Sequence, residues 1–221
     1  MKLLTEALVK FSCGLLLVGL LIFLPAGTLS YTNGWLFVVL LFVPMLIAGF
    51  VMLAKSPDFL RKRLDAKEKQ GTQKGVVALS GFMFIAGFVV AGLDFRYGWS
   101  DMPAWVVAAA SALFLIAYAL YAEVMRENAY LSRTVKVEEG QTVIDTGMYG
   151  IVRHPMYAVT ILLFLMIPLV LGSWYALIAF AFYPAIIIVR LKDEEELLTR
   201  KLPGYAEYKK KVKYRMIPFV W

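Results

Sequence analysis

Six apolar stretches dominate the chain, at roughly 7–29, 34–54, 76–95, 103–125, 157–171 and 174–189. The first four hold about 20 residues or more, enough at 1.5 Å per residue to cross a ~30 Å hydrocarbon core. The last two run to about 15 and 16 residues, some 23 Å each, and are interrupted by Pro168 and Pro184. They suit thin spans, or a tight hairpin leaning on the other helices, with Gly172-Ser173 as the turn. The pattern predicts an all-α integral membrane protein of about six transmembrane helices. Its division would be a four-helix transmembrane region, 1–125, and a second region, 126–221, holding the hairpin 157–189.

Three charged pieces separate or follow these stretches: Lys55–Lys74, Arg126–Arg153 and Arg190–Trp221. The first reads as a charged helical connector. In the second, Thr134–Val137 alternates polar and apolar, Glu139-Gly140 turns the chain, and Gln141–Ile144 is β-prone. Asp145-Thr146-Gly147 then breaks it, so an extended hairpin or lasso is expected rather than a helix. In the third, Arg190–Leu202 continues the last span as a charged helix and Pro203-Gly204 ends it. Tyr205–Val212 starts a short basic helix, in which Tyr205 and Tyr208 read as tail packing rather than a stacking platform. The apolar tail Arg215–Trp221 is expected to fold back on membrane or protein.

Composition sharpens this. Hydrophobic residues make up 61% and charged residues 18% of 221, against about 45–50% and 25% in soluble domains. With a mean hydropathy of +0.70, a soluble or disordered chain is excluded. One cysteine, Cys13, and one histidine, His154, exclude an internal disulfide, a thiolate zinc cage, multi-histidine iron and bis-histidine haem. Any hard chemistry needs carboxylates, Arg, Tyr or an organic cofactor. No metal is expected.

The net charge is +7, and its placement matters more than its size. Of 23 basic residues, only Arg96 falls on the far side of a six-crossing arrangement. The positive-inside rule makes the basic face cytoplasmic, with both termini on it. A cleaved leader is disfavoured, because the first apolar core is long and lacks an A-x-A-like exit. A short basic chain with few loops suggests a prokaryotic plasma membrane. Trp35, Trp99, Trp105 and Trp174 at span ends read as an aromatic belt. Gly14, Gly19, Gly81, Gly87 and Gly92 read as close-packing positions. Lys209-Lys210-Lys211 and Lys213 read as contacts to anionic lipid headgroups rather than to nucleic acid. There is no dinucleotide fingerprint and no P-loop.

Two groups could carry chemistry. Arg153-His154-Pro155-Met156-Tyr157 lies at a water–membrane boundary. Pro155 suits a first helical turn, whose free N–H groups can bind a polar ligand. An interfacial anchor accounts for these residues equally well. Arg190 and Glu194 are four apart and share a helix face. They could form an ordinary ion pair. The acid could instead bind an amine, ribose or sulfonium, and the Arg an anionic substrate. Glu195 and Glu196 point elsewhere on the wheel, one of them to solvent.

The string G-M-Y-G-I-V-R-H-P-M-Y, two short apolar segments, R-L-K-D-E-E-E-L-L, P-G-Y-A-E-Y-K-K-K-V and I-P-F together resemble the isoprenylcysteine carboxyl methyltransferases and their phospholipid methyltransferase-like relatives. The likeness covers about residues 123–221. It implies an S-adenosylmethionine-dependent membrane methyltransferase with a cytoplasmic cofactor pocket and a lipophilic substrate entering from the bilayer. It further implies that Gln141, Thr142, Val143, Ile144, Tyr149, His154, Pro155, Met156, Tyr157 and Glu194 contact the cofactor. Arg190 would face the substrate carboxylate, and Arg153 would join it in catalysis. The acceptor could be an isoprenylcysteine-like acid, a thioether or a phospholipid amine. Methyl transfer to a carboxylate needs alignment and desolvation rather than a base.

Membrane sterol reductases carry a related R-H-P-x-Y region and use NADPH. They would need a basic site for the 2′-phosphate, for which Arg133, Lys136, Arg200 and Lys201 are candidates. A non-enzymatic lipid-binding membrane protein that keeps the motif for its fold is a third alternative.

Overall fold

The computed structural model describes residues 2–65, 71–132 and 134–221, with no side chain described at Thr72. Among them every regular element is helical. The chain runs α1 (Lys2–Ala26), α2 (Thr32–Lys55), α3 (Pro57–Leu64), α4 (Gly71–Tyr97) and α5 (Ala104–Glu127), then a 3-10 turn at Gly147–Gly150. It continues through α6 (Pro155–Leu171), α7 (Trp174–Phe180), α8 (Tyr183–Lys201) and α9 (Tyr205–Lys211). The described residues of the 128–146 segment are neither helix nor strand, in keeping with the lasso expected there. Of the connector, Pro57–Leu64 is helical and 66–70 lies outside the described residues.

Five helical stretches are long and apolar enough to cross a membrane: Lys2–Ala26, Thr32–Lys55, Gln73–Tyr97, Ala104–Glu127 and Trp174–Lys201. The chain is thus a multi-pass membrane protein. The hydrophobic runs face outward, with Leu16, Leu20, Leu24, Ile47 and Phe82 all exposed. That is stable only where lipid replaces water. α6 is a shorter apolar helix of 17 residues.

The two prolines act differently. Pro168 lies inside α6 without ending it. Pro184 opens α8 after a break at Ala181-Phe182. It has no N–H to give the preceding turn, and regular helix is interrupted there between Phe180 and Tyr183. The turn between α6 and α7 is Gly172, in the left-handed region at φ 78°, followed by Ser173. The Ser173 hydroxyl caps α7 by accepting from the Ala176 N–H at 2.9 Å.

α4 is the central strut and packs on α1, α7 and α8, while α5 packs along α6. Two of the five glycines do the expected work. A Cβ on Gly87 would lie 2.4 Å from the Phe180 ring, and one on Gly92 would lie 2.5 Å from the Ile22 carbonyl oxygen. Gly19 and Gly81 have nothing within 4 Å, and Gly14 has only ordinary contact with Phe42. Those three have no close-packing neighbour among the described residues. The Phe84, Phe88, Phe164 and Phe180 rings interlock around the Gly87 notch. Trp35, Trp99, Trp105 and Trp174 are all exposed near helix ends, as a belt requires. At that end Asp94 is buried but accepts from the Ser100 N–H (2.7 Å), the Ser100 hydroxyl (2.6 Å) and the Ser173 hydroxyl (2.5 Å). This closes α4 onto the α6–α7 turn.

Candidate active site

At the opposite, basic end, the tail sets the geometry. The Arg153 N–H donates to the Tyr214 carbonyl (2.9 Å) and the His154 N–H to the Arg215 carbonyl (2.8 Å). His154 then occupies the N-cap of α6 and Pro155 its first turn, where a missing N–H costs nothing. The tail loops back on itself, with the Trp221 carbonyl accepting from the Arg215, Met216 and Ile217 N–H groups at 2.9–3.1 Å. Folding back onto the protein is therefore what the apolar tail does.

Behind this start lies a cluster that the wheel argument missed. Glu195 is 4% exposed. It accepts from Arg153 Nε at 2.6 Å and Arg215 Nε at 2.9 Å, and lies 3.2 Å from His154 Nε2. Arg153 Nη1 also donates to the Val212 and Lys213 carbonyls, each at 2.8 Å. Arg153 backs the crevice but gives its guanidinium to this clasp. Those contacts fasten α6, α8 and the tail, while Arg153 also lines the crevice. Glu196 is the solvent-facing acid of the pair. No spacing rule picks Glu195 over Glu196.

One residue earlier, α8 faces a crevice. The Tyr157 hydroxyl donates to Glu194, and Arg190 Nε lies 3.1 Å from the same hydroxyl. The phenol therefore bridges the acid and the guanidinium across two helices. The crevice is lined by Gln141, Thr142, Val143, Ile144, Tyr149, Arg153, His154, Met156, Tyr157, Arg190 and Glu194. Pro155 is buried behind it and is not in the lining. Asn128, Leu198, Tyr205 and Tyr208 are among the further wall residues that were not singled out for it. The lasso's Glu138–Gln141 turn closes with the Gln141 N–H donating to the Glu138 carbonyl (3.2 Å).

Tyr205 and Tyr208, read from sequence as tail packing, build the far wall. The Tyr208 hydroxyl donates to the Tyr149 carbonyl at 2.7 Å, and the Tyr205 hydroxyl lies 3.4 Å from His154 Nε2. Burial pushes the phenols of Tyr149, Tyr205 and Tyr208 well up from their ordinary value, so each stays a neutral donor. Gly147 has a positive φ of 52°, and a Cβ there would lie 1.5 Å from Glu127 Oε1. That carboxylate accepts from the Met148 N–H at 3.0 Å, which seats the turn carrying Tyr149.

Of the basic residues considered for a nucleotide phosphate, Lys136 lines the crevice and lies 3.4 Å from Glu138. Arg200 lies in a separate groove, Lys201 is exposed at the end of α8, and Arg133 lies outside the described residues.

Residues 106–200 match the model of the isoprenylcysteine carboxyl methyltransferase family. Over that segment the chain is isoprenylcysteine carboxyl methyltransferase-like. The resemblance carried by the R-H-P-M-Y and D-E-E-E-L-L strings is thereby borne out. The chain is also 31% identical over 91 residues to a Delta(14)-sterol reductase of Mus musculus, covering 40% of this chain and 22% of that protein. A Delta(14)-sterol reductase of Methylotuvimicrobium alcaliphilum is 23% identical over 136 residues, 55% of this chain and 32% of the reductase. The uncharacterized protein YpbQ of Bacillus subtilis is 27% identical over 95 residues, 42% of this chain and 56% of that one. The chain thus spans between about a fifth and just over half of these relatives.

Proposed function

We propose that the protein is a membrane-embedded methyltransferase that binds S-adenosylmethionine in the crevice. Its acceptor would be a lipophilic carboxylic acid of the isoprenylcysteine type, arriving from the bilayer. The observation that carries this reading is the Glu194–Tyr157–Arg190 bridge, set inside the segment that matches the methyltransferase family.

The chemistry of the walls suits such a cofactor. The crevice encloses about 90 Å³, below the ~300–1,000 Å³ of small-molecule sites, so in this reading the lasso wall moves outward to seat the cofactor. Val143, Ile144, Met156 and Leu198 offer apolar cover, and Gln141 and Asn128 offer polar edges. Glu194 gives a carboxylate suited to a cationic amino-acid moiety. When bound, S-adenosylmethionine supplies an electrophilic methyl group on a sulfonium.

The chain's own residues do the rest. Tyr157 donates to Glu194 and holds its carboxylate against the crevice. Arg190, from the same helix face, receives the acceptor's carboxylate and orients one oxygen. Sharing Arg190 with the Tyr157 hydroxyl leaves the acceptor gripped less tightly, which preserves its nucleophilicity. The apolar lasso and the tyrosine wall exclude water, which strengthens the charge placement. No residue has to take a proton. In this reading the basic end faces the cytoplasm, where the cofactor is made.

The sterol reductase relatives favour a second reading, NADPH binding with hydride transfer. The test is calorimetric titration of detergent-purified protein with S-adenosylmethionine, S-adenosylhomocysteine and NADPH, with Glu194→Gln as control. Binding of both adenosyl ligands, weakened tenfold or more in the variant, supports the methyltransferase. Binding of NADPH alone overturns it in favour of the reductase. Methyl-labelled cofactor and a panel of lipophilic acids, thioethers and amines then identify the acceptor.

A further inference from the structure

On the face of α8 turned away from the crevice, a shallow groove runs between α8, α9 and the tail. Four cations line it, Lys192, Arg200, Lys209 and Arg215, against two carboxylates, Glu195 and Glu196. Both acids have partners. Glu195 is held by Arg153 and Arg215, and Glu196 lies 3.8 Å from Arg200. Arg200 and Lys192 are exposed, and Lys209 is half-buried beside the Thr199 hydroxyl at 3.4 Å. The groove therefore offers positive charge beyond what its own acids consume.

Its height follows from hydrogen bonds. Arg190 meets Tyr157, in the first turn of α6, so Lys192 lies level with the start of that apolar helix. The tail is at the same level, because Arg153 and His154 donate to the Tyr214 and Arg215 carbonyls. From there the tail loop presents Ile217, Phe219 and Val220 outward at 51, 87 and 74% exposure. Phe219 also holds a φ of 65°, a conformation that L side chains rarely adopt, and its ring lies 5.3 Å from that of Tyr214 while staying largely exposed. Exposed apolar side chains beside a cationic groove, both at the helix-start level, match the two-part chemistry of a lipid–water interface.

We propose that this face binds an anionic phospholipid, with its headgroup phosphate in the Lys192–Arg200–Lys209 groove and the Ile217–Phe219–Val220 loop among its acyl chains. This narrows the basic stretch that the sequence offered to lipid. Lys211 instead pairs with Asp145 at 2.6 Å and contributes little to the groove.

Native mass spectrometry of the full chain in mild detergent tests this without any cofactor, so it is independent of the methyltransferase reading. Phosphatidylglycerol and phosphatidylcholine of matched acyl chains are offered together. The expected result is preferential retention of phosphatidylglycerol, with the preference falling about tenfold in Lys192→Gln/Arg200→Gln/Lys209→Gln. Phe219→Ser should weaken retention of both lipids severalfold and leave the preference intact. The singles Lys192→Gln and Lys209→Gln, each expected to lose part of the preference, stand in where the triple variant folds poorly. Equal retention of the two lipids, or a preference unchanged in the variants, overturns the proposal. So does displacement of phosphatidylglycerol by inorganic phosphate at equal concentration, which makes the groove a site for a free anion.

Discussion

Glu194 and Glu195 are neighbours in sequence and opposites in surroundings. On one side of α8, Glu195 is sealed among Arg153, His154 and Arg215 and ties three elements together. On the other, Glu194 takes the Tyr157 hydroxyl and faces a crevice. The crevice's outer wall is the lasso, held near its middle by the part-buried Lys62–Glu138 pair and near its end by the exposed Lys211–Asp145 pair. A buried, fully satisfied ion cluster is rigid, because losing one member strands the rest. Surface pairs contribute roughly 0–1 kcal/mol each and let a wall open. The molecule thus places a fixed clasp behind a loosely tethered wall, as a site that must admit and then enclose a ligand requires.

The sharpest way to break the contrast is Glu195→Ala. It leaves the Arg153 guanidinium buried without its carboxylate, and the expected cost is about 3–5 kcal/mol of stability. Thermal unfolding in detergent would register it as a large fall in midpoint, and a variant that melts like the parent would show that the clasp fastens nothing. Glu194→Gln should do the reverse. Its stability should stay within about 1 kcal/mol of the parent, since the amide can still accept from Tyr157, while S-adenosylhomocysteine affinity falls about tenfold or more. Equal unfolding midpoints for the two variants would erase the difference between the two faces.

Arg190→Lys sharpens the crevice side further. Lysine keeps the charge but loses the planar fork that meets the Tyr157 hydroxyl. Steady-state kinetics with a lipophilic acid should show KM for the acceptor raised about fivefold to tenfold, with S-adenosylhomocysteine affinity within about twofold. A change confined to cofactor affinity would instead move Arg190 to the cofactor.

The clasp and the crevice were unequally legible in the sequence. Helices were visible because apolar runs of this length have few other fates, and Pro155, Gly172 and Pro203-Gly204 mark their ends in the usual way. The crevice was half legible. Arg190 and Glu194 follow from i,i+4 spacing, but Tyr157 as the bridge between them depends on how α6 meets α8, which no local rule encodes. Glu195 was illegible for the same reason: a charged residue on a charged helix reads as solvated until a distant tail is seen to cover it. Tyr205 and Tyr208 share a face at i,i+3 spacing, a signal that was present and was assigned to packing alone. Gly14, Gly19 and Gly81 show the opposite error, because small residues on a lipid-facing helix look the same whether or not another helix of the chain meets them.

The smallest expected effect concerns the tethers of the wall. Burial alone pushes the Glu138 carboxyl up, but the Lys62 ammonium beside it, with Lys136, holds it below the usual carboxylate range. The Lys211 ammonium holds the exposed Asp145 carboxyl below its own usual value. A depressed folded-state value means that each tether acts fully above the unfolded carboxylate range and is lost as pH falls through the folded value. Acidification should therefore loosen the lasso while neutral-to-alkaline changes leave it alone. Neither pair is deeply buried, so each is a weak tether and S-adenosylhomocysteine affinity should fall no more than about fivefold across the acid window. Glu138→Gln should already bind with the weaker affinity at neutral pH and lose most of that dependence. If the variant keeps the parent's full acid dependence, the titrating group lies elsewhere and the lasso is not tethered through Lys62. The crevice wall would then owe its position to the apolar seat of Val137 and Val143 against Leu202, Tyr205 and Tyr208. In that case the two faces of α8 would differ in what they hold but not in how firmly they hold it.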